Sequence, residues 1–154
     1  MTTYLSSLFY THIFIHIGHD DSVIHVTVSF LCSGDIFMVN CDQRNYAESV
    51  AYCADQGMLI ASIHSDEEYQ TVWDMLECNV YIGAESYGTG EWSWSDGSDW
   101  DYVAPNTDGI TGVGEHHIAM LTDGVWHDWG TGDSLHGVLC RETSGEEPEP
   151  EGTV

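Results

Sequence analysis

The chain has 154 residues, room for one ordinary core with short extensions, and 42% of them are hydrophobic, with six Trp and eight Tyr, which excludes wholesale disorder. Two basic residues, Arg44 and Arg141, face 26 carboxylates with no Lys, for a formal net charge of -24. Duplexes and anionic bilayers are held by cationic side chains, so this composition excludes nucleic acid as a partner and favours cations or neutral polar ligands.

Residues 1–17 are apolar but carry His12 and His16, and they lack a basic leading segment and a small-residue cleavage site, so they make a poor secretory leader. The run is also too short and too polar to insert in a membrane, where a helix needs roughly 20 mostly apolar residues. Over residues 22–39, Val, Ile and Phe on either side of Ser33-Gly34-Asp35 predict two strands and a turn. Asn45 caps a predicted helix in which Ala47, Val50, Ala51 and Ala54 recur at helical spacing and Cys53 lies on the inner side; Gly57 ends it. A short apolar stretch follows over residues 58–63. Ser65-Asp66-Glu67-Glu68 then starts a second helix, expected to run to about Glu77.

After that the pattern changes. Tyr81-Ile82-Gly83-Ala84 reads as a strand, and long irregular stretches of Gly, Ser, Asp and Trp run on to Gly114. Late strands are predicted at 118–121, 125–126 and 137–140, the first two joined by the turn Thr122-Asp123-Gly124. The last residues hold Glu-Glu-Pro-Glu-Pro-Glu and too little apolar surface to order themselves. The reading is an α+β domain over residues 36–142: two helices, small antiparallel sheets and a long loop region. It is preceded by an extension with strands over 1–35 and followed by an acidic tail or linker over 143–154.

Five cysteines, Cys32, Cys41, Cys53, Cys78 and Cys140, form no CxxC pair and no close Cys/His spacing for a structural zinc ion, so a disulfide explains them better. An odd count leaves at least one thiol free or joined to another chain.

Several stretches coincide, in order, with motifs of one family. They are Tyr46-Ala47-Glu48-Ser49-Val50-Ala51-Tyr52-Cys53, Leu59-Ile60-Ala61-Ser62-Ile63-His64-Ser65, Tyr81-Ile82-Gly83-Ala84, Trp92-Ser93-Trp94-Ser95-Asp96-Gly97-Ser98 with Trp100-Asp101-Tyr102, Trp126-His127-Asp128, and Gly137-Val138-Leu139-Cys140. Together they resemble the C-type lectin-like domain family. That resemblance implies a disulfide between Cys53 and Cys140, an extracellular or cell-surface location, and a non-enzymatic module that binds a glycan or cell-surface glycoprotein through its long loops. His117 stands where the family has the first cysteine of a second, loop-region disulfide. The fate of Cys32, Cys41 and Cys78 stays open.

In sugar-binding members of this family a Ca2+ ion is held by loop oxygens and takes two sugar hydroxyls directly, as suits an ion that wants 6–8 hard oxygen ligands. The resemblance places Asn106, Glu115 and Asp128 as candidate metal ligands, and Asn106, Asp108, Glu115, His127, Asp128 and Trp129 as candidate ligand-binding residues. The departures are Ala104, where a Glu or Gln precedes the Pro, and His127, where the family has Asn; imidazole is a poor Ca2+ ligand. A second register puts Thr107 and Gly109 at the loop positions and leaves Asp108 as the nearby carboxylate. Ser86 and a short loop replace the carboxylates of the auxiliary calcium site. A calcium-independent domain that binds protein or serves structure is the alternative reading. A mixed zinc site from His127, Asp128, Glu115 and His116 or His117 is a further arrangement of the same side chains. Trp92, Trp94, Trp100 and Trp126 read as packing residues, His64 as packed or capping, and Trp129 as a ring able to stack on a sugar. No nucleophile elbow, HExxH or P-loop occurs.

Overall fold

The computed structural model describes residues 14–20, 23–32, 35–130 and 135–142, with side chains over 36–130 and 135–142. The leader reading of the first residues lies largely outside this set, and that of the acidic tail wholly so. In chain order the elements are β1 (Phe14–Asp20), β2 (Val23–Cys32), β3 (Asp35–Arg44), α1 (Tyr46–Asp55), β4 (Leu59–Ile60), α2 (Asp66–Met75), β5 (Val80–Glu85), β6 (Ser93–Trp94), β7 (His117–Met120), β8 (Trp126–Trp129) and β9 (His136–Glu142).

Local chemistry fixes the helix starts. The Asn45 carboxamide accepts the Glu48 amide at 2.9 Å while Glu48 accepts the Asn45 amide at 3.0 Å, a reciprocal capping box at the head of α1. Past its end, Gly57 takes φ of 72°. Ser65 caps α2 by accepting the Glu68 amide at 3.2 Å. That helix ends at Met75, short of Glu77: Leu76 turns extended, and Cys78 beyond it is drawn to Cys41. A helix continued through Glu77 would carry that sulfur away from β3.

The strands join in the order β1-β2-β3-β9-β5-β7-β8, with β4 on β9 and β6 on β5. The strands read in the N-terminal extension, β1 and β2, pair with each other and then with β3, continuing the sheet. Antiparallel pairing holds throughout except for β5 and β9, which run parallel with Val80 beside Gly137 and Tyr81 beside Val138. Between them the chain reverses twice, through β7 and β8, so β9 returns in the direction of β5. This one pair fuses the expected small sheets into a single sheet.

Each face of that sheet has its own core. Val80, Ile82, Ala84, Ile118, Met120 and Trp126 pack with α2 on one face, while Tyr81, Ala119, Val138 and Cys140 pack with Tyr46 and Cys53 of α1 on the other. Gly83 sits where β4's exit crosses β5, and a Cβ there would lie 2.9 Å from the Ile60 carbonyl oxygen, so only glycine lets the backbones approach.

Two disulfides staple the layers. Cys53 of α1 is bonded to Cys140 of β9, with Cα atoms 5.5 Å apart, and Cys41 of β3 is bonded to Cys78 ahead of β5 at 5.8 Å. Buried Arg141 of β9 adds a polar staple: its guanidinium meets both Glu68 oxygens at 2.9 and 3.0 Å, donates to the Ser62 carbonyl at 3.0 Å, and lies over the Phe37 ring. The second cation, Arg44, is held by Asn40 and Asp42 and lies 4.1 Å over the Tyr52 ring. Both cations are engaged within the fold, which leaves an outer surface dominated by carboxylates.

Candidate functional site

The long excursion over residues 86–116 leaves β5 and returns to β7. Its Trp rings point inward, as the sequence suggests: Trp94 lies 4.6 Å from Trp100 and 5.9 Å from Trp126, and Trp92 stacks on Trp100 at 6.2 Å. Above this aromatic floor two loops, 86–91 and 111–116, lie flank to flank. Buried Ser86 ties them, donating its hydroxyl to the Gly112 carbonyl at 2.9 Å, accepting the Gly90 amide at 3.3 Å, and donating its own amide to the His116 carbonyl at 3.0 Å. Gly112 has φ of 63°, and any side chain there would collide with Ser86.

Asp128 of β8 holds the second loop from below. It is 2% exposed, and its Oδ2 accepts the amides of Thr111 and Gly112 at 2.8 and 3.0 Å. Glu115 lies against it; partial burial and the Asp128 carboxyl beside it push the Glu115 carboxyl above its usual range. His127 points the other way along the alternating strand, with Nδ1 3.2 Å from Asp108 and its ring 4.7 Å from Trp129. Trp129 is packed between His127 and His136, at 4.7 and 5.2 Å. The Asn106 side chain lies against the Tyr69 hydroxyl, which donates to the Gly124 carbonyl at 2.8 Å.

Five of the six candidate residues form a chain of neighbours, Asp128 against Glu115, Glu115 within reach of the His127 charge, and His127 beside Asp108 and Trp129, while Asn106 lies apart beside Tyr69. Among the described residues no three His, Cys, Asp or Glu side chains gather around a point that could hold a metal ion. As arranged, the donor set does not fit Ca2+, which needs several oxygens converging at once. Asp128 already serves two amides, and His127 offers nitrogen.

A polar cluster unforeseen in the sequence joins the strand exit to the long excursion. His64 Nδ1 lies 2.6 Å from Asp101, its Nε2 lies 3.2 Å from Ser98 Oγ, and Ser98 Oγ lies 2.5 Å from Asp96, which also accepts Ser62 Oγ at 2.5 Å. Serine, imidazole and carboxylate in a row invite comparison with a nucleophilic triad. The serine has one proton, however, and donates it to the Asp96 carboxylate, which only accepts, so that proton is not directed at the imidazole. Burial opposes ionisation of Asp96, yet hydrogen bonds from Ser62 and Ser98 outweigh it and hold the carboxyl below its usual range. The cluster acts as a clasp on the loop region.

One exposed side chain stands out on the loop surface. Tyr87 is 73% exposed and takes φ of 50°, the one described non-glycine residue with positive φ. Holding an aromatic residue in the left-handed region costs on the order of 1–3 kcal/mol, and such strain is concentrated at functional loops. Its hydroxyl donates to Glu85 Oε2 at 2.6 Å. Nothing in the sequence signals this conformation.

Two helices, the parallel closure of β5 with β9, the stapling of α1 to β9 and the loop excursion between them constitute the C-type lectin-like fold, so the resemblance read from the sequence is borne out. No family model matches the chain. It is similar to C-type lectin domain family 4 member F of Rattus norvegicus, 32% identical over 73 residues, which are 46% of this chain and 13% of that protein. It is also similar to the type-2 ice-structuring protein of Brachyopsis segaliensis, 42% identical over 53 residues, 34% of this chain and 32% of that one. The matches thus span less than a third of either relative's length. Among solved structures, a calcium-independent type II antifreeze protein superposes with a TM-score of 0.66 at 26% identity, over 77% of this chain and 97% of the other.

Proposed function

We propose that this protein is a non-enzymatic, calcium-independent binding module that takes a neutral glycan, free or on a glycoprotein, on the face made by its two outer loops, at the cell surface or beyond it. The observation that carries this reading is the engagement of Asp128. Its carboxylate fastens Thr111 and Gly112 directly, so the protein's own hydrogen bonds help to shape the loop. A calcium-assisted variant would have only the Asp128 Oδ1 beside an Oδ2 that already serves two amides, and would need Asn106 to leave Tyr69. The charge of -24 disfavours sialylated or sulfated chains and leaves neutral hydroxyl-bearing ligands. The proton of Ser98, held by Asp96, supports a binding rather than a hydrolytic role. Two disulfides support an oxidising compartment, and no described helix is long and apolar enough to cross a membrane.

The test is a neutral oligosaccharide array probed with the full chain in calcium and again in EDTA. Equal binding in both is expected; loss of binding in EDTA refutes calcium independence. A second reading, adsorption to an ice surface, is supported by the likeness to the calcium-independent type II antifreeze protein. It predicts thermal hysteresis in EDTA together with an empty array.

A further inference from the structure

We infer that Tyr87 is the stacking platform for one pyranose ring of a neutral glycan, with the Glu85 carboxylate beside it accepting sugar hydroxyls; the inference rests on the glycan reading above. A pyranose presents an apolar C–H face and a rim of hydroxyl donors, so its receptor needs a displayed aromatic ring next to fixed acceptors. Tyr87 and Glu85 supply both. The ring is 73% exposed, while its hydroxyl is tethered to Glu85 Oε2 at 2.6 Å, which restricts its swing before any ligand arrives. A carboxylate has two oxygens with about four lone-pair sites, so Glu85 keeps acceptor capacity beside the phenols of Tyr87 and Tyr46.

The surroundings suit an approaching ring. Gly88 and Gly90 follow the tyrosine, and a methyl group at Gly88 would lie 3.3 Å from His116 Cε1 and one at Gly90 3.5 Å from Val113 Cγ2, so the neighbouring loop forms a low shoulder beside the platform. That shoulder carries Val113, 69% exposed, as a second apolar contact. Residues 85–91 and 111–116 contain three carboxylates, Glu85, Glu91 and Glu115, and no Lys or Arg, so phosphate, sulfate and sialic acid are disfavoured. Ser86, between the two binding side chains, holds both loops to the β5 end. Trp129, the sequence's candidate for stacking, packs against His127 and His136 instead, so the displayed aromatic role falls to Tyr87.

The left-handed backbone gives the experiment its leverage. Tyr87→Gly relieves the φ of 50° and removes the ring, so a purely structural tyrosine and a binding one respond differently. The full chain, Tyr87→Gly, Tyr87→Phe and the distant control Leu59→Ala are titrated in EDTA with mannotriose, chitotriose and lactose, following ligand saturation-transfer NMR, and melted in parallel. Tyr87→Gly is expected to melt no lower than the parent yet to lose about tenfold or more in affinity for the sugar the parent binds, with Tyr87→Phe recovering most of the loss. If the parent binds a sugar and Tyr87→Gly binds it equally, this assignment is overturned while the glycan reading stands. If the parent binds none of the three sugars nor any other neutral glycan of the array, the glycan reading and this assignment fall together.

Discussion

His117 lies on β7 with its ring stacked on Tyr46 at 3.7 Å and nearly parallel, and with Tyr81 edge-on at 6.5 Å. Its Nδ1 is buried and has no hydrogen-bond partner among the described residues. Burial moves its pKa from 6.5 to about 4; Glu85 pulls upward and His116 pushes further down. The folded value lies below the unfolded one, so the unfolded chain takes the proton first. The corresponding stability is whole above about pH 6.5 and is lost as the pH falls towards 4. The displacement is worth at most ~3.4 kcal/mol. Because the ring keeps some solvent contact we halve it, which leaves ~1 kcal/mol lost between about pH 7.5 and about pH 5, or a fall of ~4 °C in melting temperature. Protonation of the many carboxylates changes stability too, so the readout is a difference. The full chain and His117→Phe, which keeps the stack on Tyr46, are melted at both pH values, and the variant should lose ~4 °C less. Identical losses in the two proteins would refute the assignment of acid sensitivity to this imidazole.

The bridge of Cys53 to Cys140 closes 87 residues, and the double Ala variant should lose about 4–5 kcal/mol in denaturant titration. Glu68→Gln removes the carboxylate that meets the buried Arg141 guanidinium at 2.9 and 3.0 Å, an expected loss of ~1–3 kcal/mol in the same assay. Asp128→Ala orphans the Thr111 and Gly112 amides, with an expected loss of ~1–3 kcal/mol and faster hydrogen exchange at those two amides, equal in calcium and EDTA. Exchange that slows on adding calcium to the parent protein would count against the loop being held by Asp128 alone.

Much of the framework can be read from the chain because it is written in local code. Asn45 with Glu48, Ser65 with Glu68 and the glycine at Gly57 mark helix ends through hydrogen bonds spanning three or four residues. Tyr81-Ile82-Gly83-Ala84 announces a strand buried on both faces through unbroken hydrophobicity. The partner of Cys41 is of another kind: Cys78 reaches it only after α2 stops at Met75, and that stop has no glycine or proline to mark it. The candidate site shows the same division. Motif matching locates Asp128, but whether its oxygens face an ion or the Thr111 and Gly112 amides depends on loop geometry that no spacing encodes. Tyr87 escapes notice because a tyrosine at positive φ contradicts its own propensity, and the strain is imposed by the tethering of its neighbours.

The two disulfides overlap along the chain, Cys41 to Cys78 and Cys53 to Cys140, and each begins inside or before the span of the other. Any single backbone cut between Cys41 and Cys140 therefore leaves both fragments in one covalent molecule. A protease that nicks an outer loop can change which ligands are held, but it cannot by that one cut release a piece of the domain until a reductant opens a bridge. Nicked and intact protein would run close together on a non-reducing gel and part only after thiol treatment, so proteolysis at the loop face would release no fragment and show itself first as altered binding.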